Sequence, residues 1–219
     1  MIEFRNVTKY YLTPTSRKVI LDGLNLRLPA GSKVGLLGRN GAGKSTVLSM
    51  VAGTAAPISG EIRRQGAISW PLGLGGSAHP DLTGAQNARF VARIYGVDTD
   101  ALVDYVADFA EIGEFMDMPV RSYSSGMKAR LAFGMAMGIE FDWYLVDEIT
   151  AVGDSSFKRK SLALFKSRLD TAGLLMTSHS IGTIRSYCTA GVVLEGGRAR
   201  YFADVNEAIA VHEANLSRR

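Results

Sequence analysis

Four groups of residues in this chain have the types and spacing of phosphate chemistry. The first is "GRNGAGKST", Gly38 to Thr46. Its glycines let the backbone curl until several peptide N–H groups aim at one anion, and a lysine and a serine follow directly. In such a loop Gly38, Asn40, Gly41, Ala42, Gly43 and Thr46 form a cradle for phosphate oxygens. Lys44 neutralises the outer phosphates, and the Ser45 hydroxyl ligates Mg2+. The second group is "WYLVDE", an apolar strand ending in Asp147 and Glu148. Two acids at a strand end are ordinarily solvated turn residues. Roughly 100 residues after a phosphate loop, however, the first acid suits the water shell of Mg2+ and the second suits a general base for an attacking water. The third is His179 in "LLMTSHS", which leaves another apolar strand. A lone histidine there is ordinarily surface or core. Delivered to the same sheet edge as the phosphate loop, it can touch a γ-phosphate.

The fourth group, "YSSGMKARLAF", is a second helix start fit for an anion. Ser124 or Ser125 can cap, Gly126 admits a close approach, and an apolar and basic helix follows. One nucleotide fills the Lys44 loop, so this second helix end has nothing of its own to hold. In a two-fold dimer, each copy's Ser124, Ser125 and Gly126 can close over the γ-phosphate bound by the other copy, making ATP part of the interface.

The totals restrict the setting. The chain has 219 residues, 47% of them hydrophobic, which is enough for one well-packed domain with a small insertion. A net charge of +4 without a dense basic run gives no footprint for a nucleic-acid partner. No apolar run approaches the roughly 18 residues of a membrane span. "MIEFRNVTKYY" lacks the apolar stretch of a secretion signal, so a cytoplasmic location is expected. The one cysteine, Cys188, reads as a small core residue in a reducing compartment.

The elements that must position these groups follow from periodicity. "IEFRNV" and "LNLRLPAG" alternate and read as an antiparallel edge region. "KVGLL" is a buried strand that runs into the glycine loop and the helix "KSTVLSMVAG". "GEIRRQG" and "AISW" are short strands, and "PLGLGGSAHPD" is loop by its glycines and prolines. Thr83 and Gln86 have capping-box spacing at the head of "TGAQNARFVARIYG". "DTDALVDYVADFAEIG" has an acidic first turn and is expected to end at Gly113. After the helix beginning at Ser124 or Ser125, strand and helix alternate, and a hairpin and a last helix from Asp204 close the chain. The pattern is α/β, a parallel sheet wrapped by helices, with a helical subdomain at about 83–140 inserted in a single domain spanning 1–219.

In order and spacing these motifs resemble the nucleotide-binding subunits of ABC transporters over essentially the whole chain. "GRNGAGKST" is similar to the family's Walker A, "WYLVDE" to Walker B and "YSSGM" to its signature. His179 is similar to the switch histidine, and "TAVGD" resembles the loop whose Asp154 crosses the dimer. Tyr11 matches the aromatic that stacks on adenine, with Tyr10 as the alternative. The resemblance implies a P-loop NTPase with a RecA-like mixed sheet, an antiparallel β edge and ATP with Mg2+ as ligands. "YSSGMKARLAF", "DEITAVGDSSFKRK" and "ISWPLGLGGSAHPDLTGAQNARF" resemble most closely the ATPases of capsular polysaccharide exporters. That implies a homodimer on the cytoplasmic face of the inner membrane, docked under two copies of a permease. It also implies periplasmic and outer-membrane partners further along the route. Export of O-antigen, teichoic acid or lipid, and a soluble non-transport ABC ATPase, are the alternatives. The added C-terminal domain common in O-antigen and teichoic acid relatives is not expected here.

Two positions depart from the family pattern. Ser125 stands where the signature usually has the first of two glycines. No glutamine lies between Gly66 and Ala85, where the family places its Mg2+- and permease-sensing residue. The loop after "AISW" is nevertheless expected to line a cleft for a short permease helix, with Trp70 or Leu72 as the packing anchor.

Overall fold

Residues 1–73, 78–148 and 155–217 are described in the computed structural model of the chain. Ile2, Phe4 and Val7 are buried while Arg5 and Asn6 face out, the alternation of a half-covered strand, β1 (Ile2–Leu12). It lies between β2 (Arg17–Leu28) and β4 (Ser59–Arg64) in an antiparallel three-stranded sheet. Both β1 and β2 run further than alternation predicts. Register shifts between Phe4 and Tyr10, beside Asn6 at φ 49°, break the two-residue period, yet pairing resumes as far as Leu12 opposite Arg17.

The second sheet holds six strands in the order β5 (Ile68–Leu72), β6 (Trp143–Asp147), β7 (Gly173–Thr177), β3 (Lys33–Gly38), β8 (Ala190–Glu195), β9 (Arg198–Phe202). All pairings are parallel except β8 with β9. β6, β7 and β3 carry near-continuous buried apolar residues, as strands covered on both faces must. Helices α1 (Lys44–Ala52), α6 (Ile181–Tyr187) and α7 (Val205–Ser217) belong with them. Trp143, Leu145, Leu48 and Met50 join Phe4, Leu21 and Leu28 in one core, and each such side chain contributes about 1.5–3 kcal/mol on burial.

The strand expected at "AISW" continues through Pro71 and Leu72, which sequence alone places in a loop. β5 is the sheet's edge, so Pro71 gives up no ladder donor on its outer side. At the register shift between Ile68 and Pro71, the buried Ser69 Oγ accepts the Leu145 N–H at 2.9 Å and donates to the Trp70 carbonyl at 2.8 Å.

The contacts divide the chain into two compact units, Met1–Gly73 with Phe141–Ile149 and Thr171–Arg219, and Leu74–Glu140 with Thr150–Asp170. The second is wider than the 83–140 read from sequence, because α5 (Ser155–Leu169) packs on its aromatic core. Phe109 meets Tyr105, Phe133 and Phe157 at ring separations of 6.0, 5.9 and 5.4 Å. The rest of this unit is α2 (Gly84–Tyr95), α3 (Thr99–Ala110) and α4 (Ser125–Met137). Thr83 and Gln86 close the capping box: Thr83 Oγ1 accepts the Gln86 N–H at 3.1 Å and Gln86 Oε1 accepts the Thr83 N–H at 2.9 Å. α3 stops at Ala110, three residues before the expected Gly113. Glu111 takes the left-handed capping conformation, and Lys160 of α5 donates to its carboxylate at 2.5 Å and to the Phe109 carbonyl at 3.4 Å.

Candidate functional site

The glycine loop joins β3 to α1, and three predicted groups leave the same carboxyl edge of the sheet. β7 lies between β3 and β6, so the loop after Gly38, the acids after Val146 and His179 after Thr177 come off neighbouring strands. Ligands of open α/β sheets are held at this edge.

α1 begins after Gly43 at φ 104° with no side-chain cap, whereas Thr83, Asp98 and Ser124 cap α2, α3 and α4. Its first peptide N–H groups are therefore left for another acceptor, and the helix dipole favours an anion there. Lys44 folds back on its own loop, donating to the Gly38 carbonyl at 2.7 Å and the Arg39 carbonyl at 3.1 Å. Burial lowers the pKa of its ammonium from the ordinary lysine value, and the charges of Asp147 and Glu148 oppose that shift. The lysine thus shares one electrostatic site with both acids.

Asp147 ends β6 with one carboxylate oxygen committed. Oδ1 accepts the Thr177 hydroxyl proton at 2.5 Å, which leaves Oδ2 for another partner. Glu148, next in the chain, stands at φ 62° and donates its N–H to the Thr177 carbonyl at 3.3 Å. Its Oε1 lies 3.1 Å from His179 Nε2. The residues read from sequence as base and γ-phosphate sensor therefore face one another. Gly73 crosses close behind: a Cβ on it would lie 2.2 Å from the Asp147 carbonyl oxygen and 2.4 Å from that of Glu148.

Tyr11 Oη lies 3.5 Å from Thr46 Oγ1, on the face of β1 turned to the phosphate loop. Tyr10, one residue earlier, points to the opposite face with the Arg17 guanidinium 4.0 Å from its ring centre. The geometry favours Tyr11 of the two. In the second unit Ser124, not Ser125, caps α4; its Oγ accepts the Met127 N–H at 3.2 Å, and Ser125 and Gly126 form the first turn. Asp154 lies outside the described residues.

Trp70 and Leu72, the expected docking anchors, are both half-buried. Trp70 packs edge-on against Phe141 at 5.9 Å, and Leu72 pairs with Val146 in the sheet. Thr177 and His212 escaped the sequence reading. Thr177 orients Asp147, and its only sequence signal is a hydroxyl at a strand end. His212 on α7 has a lowered pKa because of partial burial and the Lys44 charge, with Glu213 and Glu195 opposing. Cys188 is buried, as expected, and burial pushes its thiol up to about 12.

Among the described residues no cluster of three His, Cys, Asp or Glu side chains can cage a metal. The free Asp147 oxygen and the Ser45 hydroxyl instead suit a hard cation that takes its remaining oxygens from phosphate and water.

Fold and site together define a P-loop nucleotide-binding protein. Comparison with known proteins narrows this: the ABC transporter family profile matches residues 21–151. The polysialic acid transport ATP-binding protein KpsT of Escherichia coli is 44% identical over 99% of this chain and 100% of its own length. The ATP-binding protein BexA of Haemophilus influenzae is 46% identical over 95% of this chain and 96% of its own. Among solved structures, the ATP-binding cassette MJ0796, in a dimeric post-hydrolysis state bound to ADP and Pi, has the same fold. It superposes with a TM-score of 0.75 at 22% identity, covering 91% of this chain and 98% of its own. The chain belongs to the ABC transporter family.

Proposed function

We propose that the chain is the ATP-hydrolysing subunit of an ABC exporter of capsular polysaccharide. It works as a homodimer on the cytoplasmic face of the inner membrane, beneath two copies of a permease. The observation that carries the reading is the convergence of Lys44, Asp147, Glu148 and His179 on one sheet edge. Similarity over nearly the whole chain to the capsule polysaccharide export ATP-binding protein CtrD of Neisseria meningitidis, 44% identical, and to the polysialic acid transport protein KpsT supports the capsular substrate. Partners in the periplasm and outer membrane complete the export route.

Tyr11 stacks on adenine, the loop from Gly38 to Thr46 cradles the phosphates, and Lys44 exchanges its backbone carbonyls for phosphate oxygens. Ser45 and the free oxygen of Asp147 hold Mg2+, which when bound draws charge off the outer phosphates. Glu148 accepts a proton from water as its oxygen bonds the γ-phosphorus and the bond to ADP breaks. His179 donates from Nε2 to the γ-phosphate. Ser124, Ser125 and Gly126 of the second copy close over that phosphate. Hydrolysis then removes the anion that joins the copies.

The test is done in the host. Lys44→Ala, expressed at wild-type level in place of the native protein, should leave capsular polysaccharide inside the cell and none at the surface. Normal surface capsule would overturn the proposal. Loss of another surface glycan with capsule intact would reassign the substrate.

A further inference from the structure

Tyr11 and Lys18 are direct cross-strand partners in the β1–β2 hairpin, so their side chains share one face. Tyr11 reaches Thr46 on that face. Lys18 reaches the loop itself: a Cβ built on Gly41 would lie 3.3 Å from Lys18 Nζ. The aim is fixed one step along the same strand. Ile20, two residues on and therefore on the same face, is buried, and a Cβ on Gly43 would fall 2.3 Å from its Cγ2. β2 thus lies against the phosphate loop at alternate positions, Ile20 on Gly43 and Lys18 on Gly41.

The two lysines at the loop differ in how their charge is met. Lys44 donates to two carbonyls and has Asp147 and Glu148 beside it. For Lys18 no acid pair or side-chain hydrogen bond exists among the described residues. An exposed ammonium over a cradle of peptide N–H groups adds positive potential where positive potential already accumulates. It lowers the free energy of the site when an anion enters.

We propose that Lys18 is a second cation of the nucleotide site, donating to the phosphate chain while its neighbour Tyr11 stacks on the base. The proposal rests on the ATP-binding reading above and adds a residue to it. One hairpin then recognises both ends of the nucleotide.

The experiment is calorimetric titration of the full chain with MgATP and with adenosine, at low and high salt. Wild type is compared with Lys18→Met, which keeps the stem without the charge, and Lys18→Arg, which keeps the charge. Lys18 is exposed on the hairpin, and the melting temperature of each variant checks that the fold persists. Lys18→Met should weaken MgATP about tenfold, as loss of a charged hydrogen bond does, and flatten its salt dependence. Adenosine binding should be unchanged, and Lys18→Arg should stay within about threefold of wild type. MgATP affinity of Lys18→Met within about threefold of wild type would overturn the proposal. An equal loss for adenosine would also overturn it, because Lys18 would then only steady Tyr11. Failure of the wild type to bind MgATP would refute the underlying reading instead.

Discussion

Glu148 is one of three non-glycine residues with positive φ among those described, at 62°. That conformation costs about 1–2 kcal/mol for a residue with a Cβ. Its bond to the Thr177 carbonyl and its contact with His179 hold it there. Strain at the end of a strand that carries an acid is a common mark of a functional position. His212 is the other informative side chain. Its folded-state pKa lies below the ordinary histidine value, so the unfolded chain takes up the proton first as pH falls. The neutral side chain contributes full stability above about pH 6.5, and that contribution is lost as pH drops through the folded-state value. Replacement His212→Gln should therefore reduce the fall in melting temperature between about pH 7 and 5.5 relative to wild type. An unchanged fall would show that the histidine titrates alike in both states.

Among the elements, β5 differs most from its sequence reading. Contiguous motifs were legible because their chemistry lies along the chain: the phosphate loop needs nine successive residues, Gly38 to Thr46, and they are all in view. The capping box of α2 and the acids of β6 were legible for the same reason. Pro71 was read as loop because its effect depends on lying at a sheet edge, which only the pairing of β5 with β6 decides. The end of α3 was misplaced because a non-glycine, Glu111, takes the left-handed capping conformation, where Lys160, 49 residues on, bonds its carboxylate. Lys18 was missed because cross-strand register, not spacing, puts it beside Tyr11. Gly73, in the stretch that sequence alone places in a loop, stands at φ 106° close against the carbonyls of Asp147 and Glu148. Gly73→Ala should push that strand end away and lower kcat for ATP hydrolysis tenfold or more, with ATP affinity within about threefold. Hydrolysis within about twofold of wild type would mean that the crossing is dispensable.

At the scale of the whole molecule, the proposed function makes this chain one half of an ATP-closed dimer. Ser124 caps α4 in one unit, while the Lys44 loop belongs to the other, and each end of the proposed sandwich is built independently. Glu148→Gln should retain ATP binding and slow hydrolysis by about 10²-fold, which traps the closed state. Sedimentation velocity of Glu148→Gln with and without MgATP tests this most directly. A 23.6 kDa species is expected without nucleotide and one of twice that mass with MgATP, the latter abolished by adding Ser124→Arg. A Glu148→Gln chain that binds MgATP and remains a monomer, or one that still dimerises with Ser124→Arg, would contradict the proposed dimer.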